Sequence, residues 1–177
     1  SKSMTFLHSK FEGNLAGEHG GAIKIFSSSG SMAFLDSEFK MNKASGSHGG
    51  GVVILQSSGD ITFQDSKFIS NEAGSGVGGG GVVILKSSGN LTFKDSEFQS
   101  NEAGAFAGAI LIGVSGNTTF LSSKFQSNWA GNHGGAIGIS ISSGNMTLNS
   151  SEFQKNQAGS NGGAVAIKES SGKIILL

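Results

Sequence analysis

Residues 120–139 read FLSSKFQSNWAGNHGGAIGI, and most of one turn of the fold is written in them. Phe120 is followed by Phe125, then by Asn128 and Ala130-Gly131, and a glycine pair leads into the aliphatic run Ala136–Ile139. The order recurs along the whole chain. Phe-x-x-Asn occurs at Phe11/Asn14, Phe39/Asn42, Phe68/Asn71, Phe98/Asn101, Phe125/Asn128 and Phe153/Asn156. An apolar residue precedes each by five: Phe6, Phe34, Phe63, Phe93, Phe120 and Leu148. Gly-rich entries then open the runs GGAIKI (20–25), GGGVVIL (49–55 and 79–85), AGAILI (107–112), GGAIGI (134–139) and GGAVAI (162–167), which close on Ser-Gly pairs such as Ser58-Gly59 and Ser143-Gly144.

A period near 28 residues with short apolar segments between turn signals has neither the length nor the 3.6 periodicity of helices. It predicts an all-β chain: a right-handed, single-stranded parallel β-helix (a solenoid) of about six coils, with three short strands per coil. Parallel rungs lie about 4.8 Å apart. The absence of Pro fits, because each Pro would remove a ladder donor. Residues 1–177 read as one solenoid segment belonging to a longer one, since the chain opens inside the strand Met4–Phe6 and Lys173–Leu177 stands where that strand would recur.

Each column of the repeat carries a physical expectation. The Phe columns should fill the core. The column Asn14, Asn42, Asn71, Asn101, Asn128 and Asn156 should form a ladder of amides bonding from rung to rung at a bend, because Asn is unfavourable in an ordinary strand. Lys10, Glu38, Lys67, Glu97, Lys124 and Glu152 alternate in sign on an outward position. Opposite charges then face each other on adjacent rungs and fix register more than stability. In the aliphatic runs one set of residues points inward. The intervening Val53, Leu55, Val83, Leu85 and Leu111 are expected to form an exposed apolar stripe, an interface for a second copy or another segment of the same protein.

Alternating FxxN and GGAI motifs, the latter unaltered at Gly20–Ile23 and Gly134–Ile137, resemble the repeats of polymorphic outer-membrane proteins of chlamydial type. That resemblance covers nearly the whole chain. It implies the passenger β-helix of an autotransporter, located outside the cell or on its surface and serving display and adhesion.

Composition narrows the function classes. Twelve cationic residues, all Lys, balance twelve acidic ones, so the chain lacks the basic footprint of a nucleic-acid binder. No apolar run reaches membrane-spanning length, so direct membrane insertion is not expected. Without Cys there is no thiolate site. Asp36, Asp65 and Asp95 share a column, and carboxylates one rung apart suit a glycosidase. A carbohydrate-active β-helix is therefore the alternative function. The plainer reading is that Asp bends the chain there. His19 and His48 stand on adjacent rungs but make a poor metal pair without a carboxylate column. A row of Thr (Thr5, Thr62, Thr92, Thr119, Thr147) is read as β-branched residues favoured on a strand. Sequons at Asn90, Asn117, Asn145 and Asn149 mark possible glycosylation in a secreting eukaryote. No nucleophile, base and oxyanion donors assemble. The expectation is a non-enzymatic structural or adhesive rod without cofactor, assembling laterally or end to end into a filament or surface layer.

Overall fold

The computed structural model describes residues 3–76, 78–113, 115–142 and 144–177. Val77, within the Gly-rich stretch 76–81, and Ser143, within the fifth Ser-Gly close, lie outside them. Every described strand pairs in parallel with the equivalent strand one coil away. The result is a parallel β-solenoid of six coils and the first strand of a seventh. The first sheet has seven strands, from Met4–Leu7 to Ile174–Leu176; the second has six, from Lys10–Glu12 to Glu152–Gln154. The fourth sheet comprises the aliphatic strands Ile23–Ser28, Val52–Ser57, Val82–Leu85, Ile110–Gly113, Ile137–Ser142 and Val165–Ser170. Beside these three expected strands per coil stands another of two residues, such as Lys43–Ala44, which makes the third sheet. Its second residue is the Ala that recurs in every coil, but two residues are too few to show the alternation that marks a strand.

The core is made of columns. Phe34, Phe63, Phe93 and Phe120 of the first sheet, and Phe39, Phe68, Phe98 and Phe125 of the second, are buried. Within a column the rings stack with centroids 4.6–5.1 Å apart and planes 2–9° from parallel. Ring faces touch at about 3.5 Å, so a rung spacing near 4.8 Å slides each ring over the next into the favoured offset geometry. Between the columns the rings meet edge to face at 65–72°. Val52, Ile54, Val82, Ile84, Ile110 and Ile112 of the fourth sheet close the core.

Two of the corners that turn the chain around this core are each made by one left-handed residue followed by a polar ladder; a third left-handed column, Ser27, Gln56, Lys86, Ile141 and Glu169, stands at the ends of the fourth-sheet strands. At the first corner His8, Asp36, Asp65, Asp95, Ser122 and Ser150 have φ of 48–50°. Asp, Asn and His tolerate that region best among residues with a side chain, which accounts for the acidic column. Asp36 lies 2.8 Å from His8 Nδ1, and Asp65 accepts from Gln64 Nε2 at 3.1 Å. The next residue is always Ser. Ser66 Oγ donates to the Phe34 carbonyl and accepts the Ser37 N–H, and this pattern repeats in Ser96 and Ser123.

At the second corner Met41, Ser70, Ser100, Ser127 and Lys155 have φ of 51–55°, and Gly13 takes 66°. The next residue is always Asn. Asn101 Nδ2 donates to Asn128 Oδ1 at 3.0 Å and to the Phe68 carbonyl at 2.8 Å. Its Oδ1 accepts the Asn71 backbone N–H at 3.1 Å and Asn71 Nδ2 at 2.9 Å. Two donors and two acceptances leave a fully buried amide satisfied, so the corner residue's unfavourable φ, about 1–2 kcal/mol, is offset locally. The charged column is arranged differently. Its members pair in register, but among the described residues Lys10 and Glu38 are its one adjacent pair within ion-pair distance, at 3.7 Å.

These two columns should respond unequally to substitution. Asn101→Ala leaves the Asn71 N–H and the Phe68 carbonyl without their ladder partners in the core, and should lower urea stability by about 3 kcal/mol. Glu97→Lys places a cation between Lys67 and Lys124 on the outside and should cost at most about 1 kcal/mol. Equal losses would mean that the amide ladder carries no special weight.

Candidate binding groove

The outward side of the fourth sheet carries two columns in register. The first reads Lys24, Val53, Val83, Leu111, Gly138 and Ala166; the second reads Phe26, Leu55, Leu85, Gly113, Ser140 and Lys168. The expected apolar stripe is located here, and it is not exposed. Val53 and Val83 are 0 % accessible and Leu111 is 3 %, in a small core of their own with Ala107, against which Leu55 and Leu85 pack half-buried.

The cover is the Gly-rich segment itself, doubled back over the strand it introduces. Its residues His19, His48, Gly78, Phe106, His133 and Asn161 bridge from coil to coil, so the segment forms a continuous ridge. No insertion is needed because the glycines let backbone lie directly on side chains: a Cβ at Gly49 or Gly79 would collide with a methyl of Val53 or Val83. Gly49 and Gly79 also adopt φ of 60° and 78°. Ala107 holds the equivalent position at φ 57° and adds its methyl to the small core.

Toward the C-terminal coils the filling runs out. The first column shrinks from Leu111 to Gly138 and Ala166, while the second turns polar at Ser140 and Lys168. A groove of about 590 Å³ opens there between ridge and strand, walled by Phe106, His133 and Asn161 and floored by Leu111, Gly138 and Ala166. Asn161 Nδ2 lies within hydrogen-bond distance of His133 Nδ1, at 3.2 Å. Sequence reading passed over this groove, although the falling side-chain size along the first column is its signal.

The other singled-out residues are placed as follows. The His19 and His48 rings meet edge to face at 4.9 Å, each with a buried Nδ1 lacking a partner among the described residues. Burial, followed by the neighbouring His19 and Lys24, holds His48 below its ordinary pKa. Among the described residues no three His, Asp or Glu side chains gather as a metal site. The sequon residues Asn90, Asn117 and Asn145 form an exposed ladder with Asp60: each side-chain oxygen accepts the backbone N–H of the next coil, at 2.8–3.2 Å. Asn149 is half-buried and accepts from Ser150 Oγ.

Residues 150–168 match the Chlamydia polymorphic membrane protein (Chlamydia_PMP) repeat. That span runs from the corner at Ser150 through Phe153 and Asn156 to the aliphatic strand, and the five preceding coils are similar to it and stack on it in register. No curated protein and no solved structure matches the chain.

The burial of the stripe makes a direct prediction. Val83→Lys should destabilise the solenoid by about 3 kcal/mol or more, as burying an unpaired charge does, whereas an exposed site would register within about 0.5 kcal/mol. The shift in the urea midpoint decides between the two.

Proposed function

We propose that this solenoid is a rod segment of a cell-surface protein of the autotransporter type, which acts by display and adhesion and performs no chemistry of its own. The observation that carries the reading is the match of residues 150–168 to a membrane-protein repeat, in a coil stacked in register on five similar ones. The use of the polar side chains supports it. The Asn and Ser columns are committed to holding corners, and the Asp column supplies left-handed turns. What remains outward is a set of sheet faces lined by Thr, by alternating Lys and Glu, and by the ridge.

Parallel stacking also suits a rod that must hold its length outside a cell. Each coil buries its apolar side chains only against its neighbours, so length grows without any change in cross-section. The polar ladders repeat with it, so no coil needs a distant contact.

Antibodies raised against the folded chain test the location. They should label intact, unpermeabilised cells of the source organism, and brief protease treatment of those cells should remove the signal. Beads coated with the chain should also be retained on host-type cells more than beads coated with an unrelated solenoid. Labelling that appears only after permeabilisation would refute the surface assignment; equal retention would refute adhesion.

A further inference from the structure

The third sheet breaks the rule that the second obeys. Its outward column reads Leu15, Lys43, Glu72, Glu102, Trp129 and Gln157, each in register with the next. Lys43 and Glu72 form an ion pair at 2.7 Å. Glu102 then follows Glu72 directly, a like-charge neighbour where the charged column of the second sheet alternates. Among the described residues the Glu102 carboxylate has no ion pair or hydrogen bond, and neither does the Gln157 amide. Between these two stands Trp129, the only Trp of the chain and 40 % exposed. Its Cη2 packs over Gly131. The residue two beyond the outward position is Gly in all three coils (Gly104, Gly131 and Gly159), so no side chain rises beside the indole there. A local rule broken without a compensating contact marks a functional position.

We propose that Trp129 and Glu102 form a docking site for an arginine side chain of a partner protein. A guanidinium is flat, so it can lie on the indole face while its N–H groups stay in its own plane. One rung away, about 4.8 Å along the column, the Glu102 carboxylate accepts two of them side by side. On the opposite rung the Gln157 amide oxygen accepts a third. Both flanking groups offer acceptors, and the one charge among them is complementary to the ligand's.

Other occupants fit less well. An ammonium is a point charge and cannot stack flat and fork to a carboxylate at once. A neutral sugar would stack on the indole but leave Glu102 without a counter-charge. The 177 residues contain no Arg, so the arginine comes from outside them. The site needs neither cell nor membrane, so its failure would leave the surface assignment standing, and the reverse.

Indole fluorescence tests it, because with one Trp and no Tyr the emission reports this site alone. The probe is acetyl-Gly-Arg-Gly-amide, titrated into the millimolar range at low salt. A saturable change in emission is expected, and added salt should weaken it. The same peptide with citrulline in place of arginine keeps the shape and loses the charge; it should bind at least about tenfold more weakly. With lysine the loss should be at least about threefold. Glu102→Gln should weaken the arginine peptide at least about threefold, whereas Glu152→Gln, on the second sheet, should leave binding as it was. Circular dichroism should be unchanged in both variants, since both carboxylates are exposed. No saturable change with the arginine peptide, equal binding of the citrulline or lysine peptide, equal effects of the two variants, or tighter binding of a neutral oligosaccharide would each overturn the proposal.

Discussion

In a parallel solenoid every side chain has its own counterpart as neighbour, about 4.8 Å above and below. Whatever occupies a column must therefore tolerate itself at that distance, and most of this sequence answers that one requirement. Phenylalanine does so by offset stacking, so two Phe columns build the core with rings 4.6–5.1 Å apart. Asparagine does so because one amide holds a donor and an acceptor in a line, so Asn42, Asn71, Asn101 and Asn128 bond to one another while fully buried. Serine meets it by accepting a neighbour's N–H while donating to a carbonyl. Like charges at that distance repel, and the outward column next to the Phe alternates Lys with Glu.

The same requirement explains the corners. A left-handed residue turns the strand within one position but breaks the regular ladder, leaving backbone groups in need of partners. Those partners are the Ser and Asn that follow. Corner and ladder are one device, used twice per coil. This is why the residue at the bend varies among Met, Ser, Lys and Gly while the Asn after it does not. The glycine ridge solves a different problem. Both faces of the fourth sheet are apolar through the middle coils, and backbone without side chains is the thinnest cover available for the outer one.

Much of this was legible in the sequence because it repeats. The coil length, the inward Phe columns, the parallel register and the amide column all follow from spacing alone. What escaped has a common character. The two-residue strand is too short to show strand alternation, although its Ala recurs in every coil. The bend at the Asp column was legible, but the left-handed residue before each Asn was not, because Gly13, Met41, Ser70 and Lys155 share no single chemistry. The burial of Val53, Val83 and Leu111 was not legible because their cover is made largely of glycines, which carry no apolar side chain to signal it. The groove beside Gly138 and Ala166 is a break in the repeat, so a reading built on regularity passes over it.

Native-state amide hydrogen exchange, resolved by residue, tests most directly the claim that the amide ladder secures the solenoid. The backbone N–H groups of Asn42, Asn71, Asn101 and Asn128 each donate to the side-chain oxygen of the next Asn, and to no backbone carbonyl within their own strands. They should be among the slowest to exchange, opening only with the global unfolding of the central coils. Exchange at these four amides that is much faster than at Phe68 or Phe98 beside them would contradict the account, because the corners would then open independently of the core.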